Sequence, residues 1–138
     1  PYQVFDCADG HIIVASGNDG QYRHFCGLLG LPELAEHPDY ATNAARLTNR
    51  DALTVALTAK TQAWTKVDLL AACETHGVPA GPINNLEETF ADPQVIHRGL
   101  RVDLDGIPSV RLPITFSDAD VSPKTASPKL GADQNLLD

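Results

Sequence analysis

Three groupings of residues in this sequence could do chemistry. Gly17-Asn18-Asp19-Gly20 stands directly ahead of a helical pattern, where backbone N–H groups can cradle an anion. Its other reading is a plain strand-to-helix turn that already carries its own negative charge at Asp19. Cys7 with His11, His24 with Cys26, and Cys73 with His76 put thiols near imidazoles, both of them zinc ligands. None repeats the paired spacing that a zinc site needs, so no metal site is expected. Arg46 and Arg50 fall on one side of a helix and are the nearest approach to a basic pair in a chain of formal net charge −8. They read as structural contacts. The carboxylates are spread over helix caps and strand faces, so no acid and base stand out as partners. Walker loop, nucleophile elbow, HExxH and dinucleotide glycine fingerprint are all missing from the sequence. The residues alone assign no catalytic group.

The chain around these groupings has 138 residues, enough for one ordinary core, and at 43% hydrophobic and 20% charged it has a globular composition. Its acidic balance argues against nucleic acid, whose backbone requires clustered Lys and Arg. No run is long and apolar enough to suggest a membrane span. Three widely spaced cysteines make a poor disulfide framework and fit reduced, packed thiols, so a cytoplasmic protein is expected. The sequence opens inside a strand pattern and contains no Met, as expected of a segment cut from a longer polypeptide.

The elements that must position these residues follow from periodicity and punctuation. Two β-type runs, 1–5 and 11–15, flank Asp9-Gly10, a pair suited to both central positions of a type I′ turn. A helix then runs to about Leu29 with Tyr22, Phe25, Leu28 and Leu29 inward, and Gly30 ends it. Pro32 to Glu36 forms a short turn of helix, and His37 before Pro38 is biased out of the helical region. Thr42 or Asn43 caps the longest helix, which runs through Ala44, Leu47, Leu53, Ala56 and Leu57 to about Ala63. Thr65 and Asp68 have capping-box spacing and open a helix that buries Val67, Leu70, Ala71 and Cys73, with His76 in its last turn and Gly77 beyond. Residues 78–82 form a turn-rich connector that cannot be helical. Asn85 with Glu88, then Asp92-Pro93, start two short helices, the second ending at Gly99. Leu100, Val102 and Leu104 alternate as a strand, answered by Val110, Leu112 and Ile114 after a turn at 106–109.

This order predicts an α+β fold: a small antiparallel sheet, made of the N-terminal hairpin plus the C-terminal strand pair, with several intervening helices. Residues 1–116 are expected to form the domain. Residues 117–138, rich in Ser, Pro, Asp and Lys, read as an arm followed by the truncated start of another element. In isolation the arm is expected to be mobile, with Leu130, Leu136 and Leu137 as its apolar contacts.

Five strings in register carry a resemblance. They are 1–5 with 8–10, 17–22, 38–46 with Asn49-Arg50, 77–84, and 91–95, with Leu130-Gly131 continuing the order. Together they resemble the small domain of family III CoA-transferases, the CaiB/BaiF type, a family that also includes the α-methylacyl-CoA racemases. The resemblance implies a parent protein whose large, Rossmann-like domain holds CoA and supplies a catalytic Asp. That Asp passes through mixed-anhydride and thioester intermediates. None of the family's catalytic residues maps onto this chain, so the segment is expected to be inert alone and to bind no cofactor. A CoA thioester would be the parent's substrate, and the missing large domain and a homodimer partner its partners. Tyr2 and Gln3 are the residues the resemblance brings nearest the acyl end of the substrate. Alternatives are a racemase parent and a freestanding, non-catalytic binding module.

Overall fold

The structure, a computed structural model, describes residues 1–134. Strands β1 (Tyr2–Cys7) and β2 (Gly10–Ala15) pair antiparallel, Phe5 opposite Ile12 and Val4 opposite Ile13. Their alternation turns Phe5, Ile12 and Val14 into the core and leaves Tyr2 and Val4 on the outer face. Strand β3 (Ala80–Ile83) lies along the far side of β2, Ile13 opposite Gly81. Most of the expected connector is therefore an edge strand, where Pro82, lacking an N–H, is tolerated.

The first turn corrects the sequence reading. It runs through Ala8 and Asp9, neither of which has positive φ, and Gly10 takes φ 147° as the first residue of β2. Packing fixes this turn: the Ala8 N–H donates to the Trp64 carbonyl (2.9 Å) and the Lys66 N–H donates to Asp9 Oδ1 (2.7 Å). The Asp-Gly turn with two positive φ values occurs instead at Asp105 (55°) and Gly106 (80°), joining β4 (Arg101–Leu104) to β5 (Ile107–Val110). That hairpin therefore turns earlier than the expected 106–109.

Helices α1 (Asp19–Leu28) and α2 (Pro32–Glu36) match expectation, Asn18 capping α1 and Gly30 following it at φ 70°. The long third helix does not form as one piece. It divides into α3 (Asn43–Thr48) and α4 (Arg50–Thr61) at Asn49, whose φ of −106° and ψ of 26° leave the helical region. Asn49 Nδ2 donates to the carbonyls of Asp39 and Ala45, both at 3.1 Å, so the side chain stabilises the break. Leu53 and Leu57 are buried, whereas Leu47 is exposed.

Helix α5 (Lys66–Thr75) starts at the Thr65 cap but buries Leu69 and Cys73 rather than Val67 and Ala71. The contact of Asp9 with the Lys66 N–H sets its first turn against the hairpin, and Lys66, Leu69 and Cys73 follow at i, i+3 and i+7. Helix α6 (Leu86–Ala91) carries the complete Asn85–Glu88 capping box, and α7 (Pro93–His97) starts at the Asp92 cap.

The chain forms two compact units, Pro1–Ile83 and Asn84–Asp138. The first contains every buried residue described, including the tilted pair Phe5 and Phe25 with ring centroids 5.6 Å apart. The second contains α6, α7 and the β4–β5 hairpin, followed by described chain without helix or strand. Leu130 is fully exposed; Leu136 and Leu137 lie outside the described residues. The α+β class holds, with the antiparallel strands in two sheets rather than one.

Candidate functional site

The first unit carries a cleft of about 420 Å³ between the start of β1, the residues after β2, and the α3–α4 pair. Gln3 and Tyr2 both line it. Gln3 points to the same side of β1 as Phe5 but sits at the strand's end, so its half-buried amide reaches Arg50, the first residue of α4. Arg50 Nη2 donates to Gln3 Oε1 at 2.5 Å. Tyr2 is 78% exposed. Leu53 gives the cleft an apolar floor, and Asn43 and Thr54 add polar walls.

The break at Asn49 separates the two arginines that sequence spacing places on one helix face. Arg46, on α3, is buried and fully engaged. Its Nη1 donates to the Tyr40 carbonyl (2.8 Å), its Nη2 to Asp19 Oδ1 (2.5 Å), and its guanidinium lies 4.4 Å from the centre of the Tyr22 ring. Arg50 is exposed to the cleft with a neutral partner. Its link to Gln3 is what sequence reasoning missed. The only available signal was Asn49 itself, a residue that breaks helices by bonding backbone with its side chain.

The Gly17–Gly20 segment is a capped turn. The Gly17 N–H donates to Gln21 Oε1 (2.8 Å), the Gln21 N–H to Asn18 Oδ1 (2.9 Å), and Asp19 faces Arg46. Two of the N–H groups an anion cradle would use are thus already occupied.

The cysteines serve packing. Burial pushes the Cys26 thiol up, and raises Cys73 to about 11. Burial and then the nearby carboxylates of Asp9 and Asp6 raise Cys7. A thiol held protonated at neutral pH is a poor nucleophile and a poor metal ligand. Tyr22 donates its hydroxyl to the Leu34 carbonyl (3.0 Å), and burial holds that phenol well above its usual range. His76 Nδ1 lies 2.8 Å from the Ala72 carbonyl at the end of α5, the place of a helix-terminal contact. Among the described residues no group of three or more His, Cys, Asp or Glu is placed to hold a metal ion. No Asp or Glu lines the cleft.

The cleft thus presents cationic, amide and hydroxyl groups and no carboxylate. The model of CoA-transferase family III matches residues 1–134. The chain belongs to that family. It is 50% identical over 139 aligned positions to the succinate–glutarate CoA-transferase of Agrobacterium fabrum, covering 97% of this chain and 35% of that protein. It is 41% identical to the succinyl-CoA:glutarate CoA-transferase of Homo sapiens, over 76% of this chain and 24% of that one. The crystal structure of a CaiB/BaiF family protein from Brucella suis superposes with a TM-score of 0.86 at 47% identity, covering 99% of this chain and 36% of that structure. The family III chain described here thus spans about a third or less of these relatives' lengths.

Proposed function

We propose that this segment is the small domain of a cytoplasmic acyl-CoA:carboxylate CoA-transferase, where it covers the acyl end of the thioester and is inert by itself. The observation that carries the reading is the cleft, polar and cationic yet free of carboxylates, in a chain of this family. CoA transfer through an acyl-aspartyl intermediate needs a carboxylate nucleophile, and a cleft without one must receive it from another part of the protein. That part would be a large domain that also holds CoA, since the net charge of −8 makes this segment a poor host for CoA's phosphates. The outer face of the β1–β3 sheet, with Tyr2, Val4 and Ile83 exposed, offers apolar surface for a large domain or a homodimer partner. Residues 1–116 would make up the small domain, and 117–138 would return toward the large one. Relatives named for glutarate and succinate make a dicarboxylate the favoured acceptor. The full-length gene product should exchange CoA between succinyl-CoA and glutarate, while the 138-residue chain alone should not. Epimerisation of an α-methylacyl-CoA without exchange would replace this reading with the racemase one. Binding without either reaction would favour a freestanding module.

A further inference from the structure

We infer that Arg50, steadied by Gln3, is the residue that takes the distal carboxylate of a linear dicarboxylic acyl group in the cleft; this rests on the CoA-transferase reading above. The two cleft arginines are not equivalent. Arg46 is buried and spends both terminal nitrogens on Asp19 and the Tyr40 carbonyl. Arg50 is exposed to the cleft and bonded to a neutral amide, and among the described residues no carboxylate pairs with it. A guanidinium has five N–H donors in a planar fork. One bond to Gln3 leaves donors for a carboxylate while restraining the side chain, so less freedom is lost on binding.

The shape of the site fits the same ligand. A volume of about 420 Å³ is at the small end of ligand pockets. Leu53 meets the methylenes of an extended diacid, and Asn43 and Thr54 offer neutral polar groups. The carboxyl that exchanges CoA then lies toward the nucleophile outside this segment, and the other finds its countercharge at Arg50. A monocarboxylic acyl group of equal length has nothing to place there, so Arg50 sets specificity and does not react.

The test uses the full-length enzyme that carries this segment, with succinyl-CoA as donor and glutarate as acceptor. Arg50→Gln should raise the KM for glutarate about tenfold or more, as expected for loss of a charge-assisted bidentate contact, with a smaller change in kcat. Arg50→Lys should restore part of the loss. A glutarate KM within twofold of wild type, or a fall in kcat at constant KM, overturns the assignment. Absence of CoA transfer by the wild type would sink the parent reading instead. In that event, titration of the 138-residue chain followed by NMR decides the inference. Saturable shifts at Arg50 and Gln3 with glutarate, and not with pentanoate, support it. No shifts, or equal shifts with both acids, overturn it.

Discussion

The ion pair of Arg46 with Asp19 is asymmetric, because the guanidinium is 5% exposed and the carboxylate 45%. Breaking such a pair is costly when the remaining charge is the buried one. Asp19→Asn should therefore destabilise the chain by about 2–3 kcal/mol. Arg46→Met leaves a carboxylate that water can reach, and should cost about 1–2 kcal/mol. Urea unfolding followed through Trp64, the single tryptophan, measures both; a larger loss for Arg46→Met would mean that the guanidinium is hydrated. The core thiols give a pH dependence. Cys73 is raised by burial from an ordinary value near 9 to about 11. Between those values the unfolded chain has released the proton and the folded chain keeps it, so the unfolded state binds fewer protons and stability falls as pH rises. Cys26 and Cys7, both raised, act in the same direction. Unfolding midpoints should hold steady below about pH 9 and decline toward pH 11; a midpoint flat across that range would mean the thiols titrate normally.

At the scale of elements, the two Asp-Gly pairs show how context selects a turn. At Asp105-Gly106 the Gly106 N–H donates to Asp103 Oδ1, a bond within the hairpin itself, and the pair adopts the conformation its residue types favour. At Asp9-Gly10 the start of α5 competes for the aspartate, and the bond from the Lys66 N–H shifts the turn by one residue. Gly10 is then required for two reasons. Its φ of 147° is rarely open to other residues, and a Cβ there would meet Lys66 Cδ at 2.8 Å. Gly10→Ala should cost about 2 kcal/mol or more and loosen the start of α5. A loss below half that in urea unfolding would show that the backbone at residue 10 relaxes and Lys66 moves aside freely. The division at Asn49 matters in the same way, since one continuous helix would carry Arg46 and Arg50 along a common face instead of burying one and exposing the other.

At the scale of the whole chain, the apolar core lies entirely within Pro1–Ile83, from Phe5 to Val78. No described residue from position 84 onward is buried. Burial of apolar surface is the main term opposing chain entropy, so the first unit should fold alone and the second should not. A fragment of residues 1–83 should unfold cooperatively within a few degrees of the full chain, and a fragment of residues 84–138 should show no cooperative transition by calorimetry. A sharp transition in the second fragment, or its absence in the first, would reverse this division.

The sequence by itself determined the features that depend on neighbouring residues. The Asn18, Thr65, Asn85 and Asp92 caps, the glycines after α1, α5 and α7, and the alternation of β1, β2 and β4 are all local, and they were legible. So was the family, because five short strings in fixed order identify a segment even when none of them holds a catalytic group. Tertiary structure decided what depends on partners distant in the chain. The grip of Asp9 on Lys66, 57 residues away, chose the turn and the buried face of α5. The bond from Asn49 to Asp39 helped split a helix that periodicity alone would continue. The contact between Gln3 and Arg50, 47 residues apart, brought one candidate site residue to a cation that spacing had assigned to structure. Propensity and periodicity act over a few residues, whereas a hydrogen bond between distant segments forms only after the core has set their positions, and the cleft belongs to that second class.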